Sequence, residues 1–405
     1  MKIRAFTGLR PSPEAVDSLV SLPYDVVSTE EARALAEGNP LSFLRVVRAE
    51  IAFPPGQDPY SDEVYAQAVR QLQWLREEGH LLREEEPCLY LYRQEIQGHA
   101  QTGVVAVSHV DDYDTDRIRK HERTRVAKEN DRTRLAGELR AHAGPVFLTY
   151  RDRPALSALV EAGCRETPLY DLTTDDGVRH TVWRVAGGEA FLEAFADVDF
   201  TYVADGHHRA ASAARVAREC REANPDHRGD EDYNYFLTAL FPASELRILP
   251  YNRLVVDERG RSPEALETAL ASVAALRPAD SAAPARPHDL RVFTGKEWKE
   301  FSLRPNPQAP AAAQLDVSLL QEQVLAPLFG IEDPRTDERV TFVGGIRGTD
   351  FLADQVRSGK ASLAFSLYPV PITSLLAIAD EGEVMPPKST WFEPKLRSGF
   401  FLHTF

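Results

Sequence analysis

Cysteine is scarce in this chain: Cys88, Cys164 and Cys220 stand far apart among 405 residues, with no CxxC spacing. Neither a disulfide framework nor a thiolate zinc site is indicated. No apolar run approaches the about 18 residues of a membrane-spanning helix, so no membrane partner is expected. The opening residues, Met1-Lys2-Ile3-Arg4-Ala5-Phe6, lack the apolar stretch of a signal peptide, which makes a cytoplasmic location the expectation. Positive charge is also short: the formal net charge is −15, and such a chain repels a polyphosphate backbone, which argues against nucleic acid as a partner. A GxxxxGK[ST] loop and the protein-kinase motif set are both missing, so any kinase activity would belong to an unusual class. There is no internal repeat and no signal of oligomeric state.

What remains is an ordinary globular composition, 43% hydrophobic and 27% charged, in a chain long enough for two or three domains. Strand and helix signals alternate, which predicts a mixed αβ (α+β) fold. Ser28-Thr29-Glu30-Glu31 reads as a capping box opening a helix that Gly38-Asn39-Pro40 stops. A long amphipathic helix is expected from about Ser61 to Glu78, with Val64, Ala68, Leu72 and Leu75 on one stripe. Cys88–Tyr92 and Thr102–Val107 read as strands flanking a turn at Gln97-Gly98, hence a hairpin. The expected divisions are an N-terminal region 1–105, a core 106–260 and a C-terminal αβ region 261–405. The run from Met385 to Lys395 combines prolines, cations and an aromatic pair, which suits a tail that folds back rather than frays.

The most informative segment is Phe200-Thr201-Tyr202-Val203-Ala204-Asp205-Gly206-His207-His208-Arg209 followed by an alanine-rich stretch. It reads as a buried strand breaking directly into a helix, with Asp205 as N-cap candidate. Helix N-terminal N–H groups and the helix dipole favour an anion there, and His207, His208 and Arg209 add donors or cations. Arg125, Lys128 and Arg132, in the one strongly basic stretch, are candidates to neutralise further negative charge. Phosphoryl transfer needs such cations and donors, usually a divalent metal, and a carboxylate to accept the nucleophile's proton. Asp205 is the candidate ligand for Mg and Glu122 the candidate base.

Several segments together resemble the DUF1015 family over essentially the full chain: Pro23-Tyr24-Asp25-Val26-Val27-Ser28, Gly38-Asn39-Pro40, Gln101-Thr102-Gly103, His121-Glu122 with Asp131-Arg132, Ala204 to Ala210, Pro250-Tyr251-Asn252-Arg253 and Met385 to Lys395. More distantly, Asp205-Gly206-His207-His208-Arg209 after a strand resembles the nucleotide-phosphate turn of the ParB/sulfiredoxin superfamily, which includes free serine kinases. That resemblance implies a ParB/sulfiredoxin-like core at 106–260, with His207, Gly206, His208 and Arg209 at the phosphates of ATP or ADP. It also implies Glu122 as base toward the hydroxyl of a small-molecule substrate, an amino acid such as serine being one example. Tyr24, Asp25, Lys388 and Lys395 are candidates for substrate contact or a lid. A metal-dependent hydrolase built on His207 and His208, and a non-catalytic nucleotide- or nucleic-acid-binding regulator, are the alternatives. His99, His109, His142 and His180 read as structural or surface histidines.

Overall fold

The hairpin expected around Gln97-Gly98 forms because both residues take positive φ, 50° and 78°, the primed turn geometry that matches strand twist. It joins strands in register from Tyr90 opposite Val105 to Ile96 opposite His99. The computed structural model describes all 405 residues. They divide into one unit comprising Met1–Lys120, Thr124–Leu246 and Pro394–Phe405, and a second comprising His121–Arg123 and Arg247–Glu393.

The first unit is built on a nine-stranded sheet of β1 (Ile3–Arg4), β2 (Cys88–Ile96), β3 (His99–His109), β4 (Ile118–Arg119), β5 (Val146–Tyr150), β6 (Tyr170–Thr173), β7 (Arg179–Ala186), β8 (Thr201–Asp205) and β9 (Tyr235–Pro242). The order is β4-β8-β5-β9-β3-β2-β7-β6, with β1 pairing β3. The pairs β9/β5 and β8/β4 are parallel and the others antiparallel, so the sheet is mixed, as the alternating signals predict. The division expected between 105 and 106 falls inside β3, which pairs β2 on one side and β9 on the other.

Strand alternation sorts the side chains onto two faces. Leu89, Leu91, Val104, Ala106, Leu148, Phe236 and Leu240 share one core with Ala210, Ala213 and Ala217. Those alanines lie on the helix His207–Ala223, whose small buried residues let its backbone approach the sheet closely. Tyr90 and Tyr92 alternate to the opposite face, where Phe401 and Phe400 meet them at ring-centroid distances of 4.8 and 5.3 Å. The C-terminal segment therefore supplies part of the sheet's cover. It is fixed there by the pairing of His403–Thr404 with Ala141–His142, by the Leu9–Leu402 bridge, and by an ion pair between Arg397 and Asp176.

Three helices of this unit matter below: α1 (Asp62–Glu77), α2 (Val126–Leu139) and α3 (His207–Ala223). The stripe of α1 is buried as the periodicity predicts, at Val64, Ala68, Leu72 and Leu75. The Ser28 capping box is complete, with Ser28 Oγ accepting from the Glu31 amide at 3.1 Å and the Glu31 carboxylate accepting from the Ser28 amide at 2.8 Å. Helix α2 packs on α3, where Thr133 Oγ1 donates to Ser212 Oγ at 3.3 Å.

The second unit has its own six-stranded sheet of β10 (Tyr251–Val255), β11 (Arg277–Pro278), β12 (Asp289–Phe293), β13 (Trp298–Ser302), β14 (Val340–Gly344) and β15 (Leu363–Ser366), in the order β11-β13-β12-β15-β10-β14. A small core of Leu254, Phe293, Val343, Leu352, Val356 and Ala364 lies against it. This unit begins at Arg247, so β10 stands with the C-terminal region rather than with the core expected to run to 260. No helix of the chain is long and apolar enough to cross a membrane.

Candidate functional site

Strand β8 ends at Asp205 and α3 begins at His207, with Gly206 alone between them. Gly206 takes φ +93°, a conformation that L side chains rarely adopt. A Cβ at that position would also lie 3.0 Å from Arg209 Nε. The backbone thus favours glycine, and an added Cβ would also press on the guanidinium folded over the turn. The helix cap corrects one expectation: Gly206 is the N-cap residue and no side chain caps α3. Asp205 is turned elsewhere because two cations hold it.

Lys395 Nζ lies 3.2 Å from Asp205 Oδ1, and Arg209 Nη2 lies 3.1 Å from Oδ2. Burial alone would raise the Asp205 pKa; the ammonium of Lys395 and the guanidinium of Arg209 outweigh it and hold the carboxyl below its ordinary range. Arg209 also donates to the carbonyl of Pro145 through Nη1, while its Nε is buried without a hydrogen bond. One carboxylate between two cations leaves the cluster at net +1, beside the first free N–H groups of a 17-residue helix.

The two histidines differ in role. His207 is buried, and its pKa is pushed down to about 4, chiefly by burial, with Asp205 opposing and His208 adding to the fall. It is neutral at pH 7 and offers a donor rather than a charge. His208 Nε2 accepts from the Arg125 backbone N–H at 3.0 Å, immediately before α2. Its proton therefore sits on Nδ1, and the ring ties the start of α2 to the start of α3. Arg125 enters this arrangement through its backbone.

Beneath the turn, Tyr24, Arg132, His142, Arg209, Ser212 and Ser398 contribute to the lining of a cavity of about 50 Å³. Arg132 stacks on Tyr24, its guanidinium carbon 4.0 Å from the ring centroid, and donates twice to Asp131 Oδ2 at 3.0 and 2.7 Å. Tyr65 Oη completes that carboxylate by donating to Oδ1 at 2.8 Å. Burial first, and the charge of Asp25 second, push the Tyr24 phenol up, so it stays protonated. His142 Nε2 is buried without a partner, and its pKa is pushed down to about 3 by burial and by His403. A space of this size takes a few waters, not a nucleoside.

Of the residues singled out in the sequence, Asp205, Gly206, His207, His208, Arg209 and Lys395 meet at the turn, and Tyr24 and Arg132 line the cavity that Arg209 shares. Asp25 is exposed beside Tyr24. The Lys128 ammonium reaches Tyr60 Oη at 3.2 Å. Glu122 and Lys388 belong to the second unit. There the Lys388 carbonyl accepts from Arg253 Nη2 at 3.1 Å, and its ammonium lies 5.5 Å from the Tyr251 ring centroid. Sequence reasoning missed Asp131, Pro145, Ser212 and Ser398, and read His142 as structural or surface. Asp131 had a signal in its adjacency to Arg132 and Ser212 in its place one turn beyond Arg209 on α3; His142 and Ser398 reach the cavity, and Pro145 reaches Arg209, through chain reversals that no local pattern encodes.

Metal chemistry fits these residues poorly. No group of three or more His, Cys, Asp or Glu side chains is placed to hold an ion, and both oxygens of Asp205 carry a cation. The His207/His208 hydrolase alternative loses its ligand set, with one ring buried and the other engaged with α2. Mg at Asp205 would depend on phosphate oxygens for most of its shell.

The family model described as "Protein of unknown function (DUF1015)" matches residues 3–318. No curated protein matches the sequence. Among solved structures, a free serine kinase in complex with AMP is 10% identical, covering 71% of this chain and 86% of its own, at a TM-score of 0.37. A conserved hypothetical protein from Pyrococcus furiosus is 11% identical, covering 73% and 93%, at 0.37. SbnI with a C-terminal truncation, from Staphylococcus aureus, is 12% identical, covering 73% and 85%, at 0.37.

Proposed function

Starting from the fact that the chain belongs to the DUF1015 family, we propose that the turn Asp205–Arg209 binds the phosphates of ATP or ADP in a phosphotransferase acting on the hydroxyl of a small metabolite. The observation that carries this reading is the Lys395–Asp205–Arg209 cluster at the N-terminus of α3. It combines free backbone donors, a helix dipole and net positive charge at one strand end, with Gly206 removing the side chain that would otherwise block backbone approach. Phosphoryl transfer asks a protein mainly for this, positioning and charge on the transferred group.

Within this reading Arg209 and Lys395 exchange part of their contact with Asp205 for phosphate oxygens. His207, neutral, supplies an N–H donor. Asp205 orients the two cations when no anion is present; were a Mg carried in on the phosphates, Asp205 would be the residue to supply it a carboxylate oxygen. Glu122 is the carboxylate that the superfamily resemblance offers as proton acceptor.

Thermal unfolding with ATP, ADP and AMP, each with and without Mg, tests the binding step. The wild type should be stabilised by at least one nucleotide, and Lys395→Met should lose most of that shift. No shift with any nucleotide would refute the reading. The chemistry is tested separately by transfer of labelled phosphate to a panel of hydroxylated metabolites, with Glu122→Gln expected to keep nucleotide stabilisation and lose transfer.

A further inference from the structure

The second unit buries an arginine that no acid neutralises. Arg253, in the middle of β10, is only 4% exposed. Its hydrogen bonds all go to neutral carbonyls: Nη1 donates to Tyr251 at 2.8 Å and to Asn252 at 3.3 Å, and Nη2 donates to Lys388 at 3.1 Å. A guanidinium carries about five N–H groups, so Nε–H and at least one further N–H are left without an acceptor. Nε is not sealed in: unlike the Nε atoms of Arg48 and Arg209, it makes no hydrogen bond yet keeps accessible surface. Burial pushes the Arg253 pKa down to about 9, opposed only by the Tyr251 phenol, so no carboxylate is near enough to act on it.

The surroundings are donors and rings. Strand register sets Phe342 opposite Arg253 and Gly344 opposite Tyr251 on one face of the sheet. The guanidinium carbon lies 4.4 Å from the Phe342 ring centroid. Trp391 meets Tyr251 edge-on, with centroids 5.5 Å apart, and lies so close over Gly344 that a Cβ there would come within 2.6 Å of it. Tyr251 Oη makes no hydrogen bond and, like Arg253 Nε, keeps accessible surface. The ammonium of Lys388, an exposed side chain without an ion pair, lies 5.5 Å from the centroid of the same tyrosine ring. Glu393, the one carboxylate of the stretch from Met385 to Glu393, accepts from Trp391 Nε1 at 2.8 Å. Two cations, an unengaged phenol and three aromatic rings thus stand together with no anion of their own.

We propose that this patch binds a small organic carboxylate with an apolar body, its oxygens taken by Arg253 Nε–H and Tyr251 Oη, with Lys388 adding charge from the rim and the rings meeting the body. Carbonyls solvate a buried guanidinium but leave its charge uncompensated, and an incoming carboxylate supplies the missing half of the ion pair. The open N–H groups and the phenol match the acceptor capacity of a carboxylate, in charge-assisted hydrogen bonds. A cation would be repelled, and a phosphate would leave the aromatic surface unused. The proposal uses residues of the second unit alone and is independent of the reading given to the Asp205–Arg209 turn.

The test is binding of benzoate, benzamide and benzylammonium to the full-length protein, by ligand-observed NMR and by calorimetry, without nucleotide. Benzoate should bind and the amide and ammonium should not, and equimolar inorganic phosphate should displace little of the benzoate. Arg253→Met should weaken benzoate binding by about tenfold or more, the loss of charge-assisted hydrogen bonds. If that variant fails to fold, two milder ones decide: Tyr251→Phe should weaken binding about fivefold, and Lys388→Met, at an exposed position, about threefold with a shallower salt dependence. No benzoate binding, equal binding of all three probes, ready displacement by phosphate, or benzoate affinity unchanged in any of the folded variants would overturn the assignment.

Discussion

His207 couples the turn to pH in a way that can be worked through. Its ring titrates at about 4 in the folded protein, because burial disfavours the charged form, against an ordinary value of 6.5. Between those two values the unfolded chain holds more protons than the folded one, so stability falls as pH falls. The stabilisation is fully present above 6.5 and gone by about 4. The whole shift is worth about 3 kcal/mol, and roughly 2 kcal/mol of it is lost by pH 5. His142 and His180, both pushed down to about 3 by burial, lose stability in the same direction. A comparison of wild type with His207→Gln removes their contribution. Urea denaturation between pH 5 and 7.5, followed by hydrogen exchange of the β5 and β8 amides, should show the variant's stability declining less steeply, the gap closing by roughly 2 kcal/mol at pH 5. Parallel curves, or an NMR titration placing His207 near 6.5, would refute the lowering by burial. The turn would then gain an imidazolium on mild acidification, and its anion affinity would rise between about pH 7 and 5.5.

Gly206→Ala combines a left-handed φ with a Cβ 3.0 Å from Arg209 Nε; we expect a loss of about 1–3 kcal/mol in urea denaturation and a reduced nucleotide-induced thermal shift. Lys388 holds φ 57° and contributes a backbone carbonyl to Arg253, so Lys388→Gly should stabilise the second unit by about 0.5–1 kcal/mol. The same variant should leave any nucleotide response unchanged; a lost response would mean that the Lys388 side chain takes part in binding.

The sequence made local features legible where a short-range rule decides them. The Ser28 box, the α1 stripe and the Gln97-Gly98 hairpin depend on neighbours within a few residues, and each formed close to its expected bounds. The strand-to-helix turn was visible for the same reason. What β8 pairs with was not, since Tyr202 opposite Thr149 is a meeting of residues 53 positions apart that nothing in either segment specifies. Nor was the division of the chain, because Pro394–Phe405 joins the first unit through contacts with residues near 9, 21 and 141. Asp205 shows the limit most clearly. As an aspartate before glycine and a helix it reads as an N-cap, yet Lys395, 190 positions away, and Arg209 take its carboxylate. An ion pair with two partners outweighs one neutral cap, and a local reading has no means of seeing the second partner.

That carboxylate poses the sharpest question about the turn, since an aspartate at the centre of an anion site repels the group the site would hold. The geometry resolves this if Asp205 acts by holding Lys395 and Arg209 in place until a phosphate displaces it. Asp205→Asn would then leave two cations facing the start of α3 and raise the cluster from net +1 to net +2. A unit charge about 7 Å from a bound phosphate, at an effective dielectric of about 20, amounts to roughly 2 kcal/mol before screening. With the Asp205 side chain a quarter exposed, about 1 kcal/mol, or roughly fivefold, is the gain to expect. Calorimetry with inorganic phosphate and with ADP, in chelator and at low salt, should therefore show tighter binding in Asp205→Asn, alongside a lower unfolding temperature from the lost ion pairs. Weaker binding in chelator would mean that the ordering of the two cations matters more than their net charge, and the displacement picture would fail. Weaker binding only with Mg present would instead make Asp205 a ligand of phosphate-bound metal, because the effect would then follow the ion and not the charge.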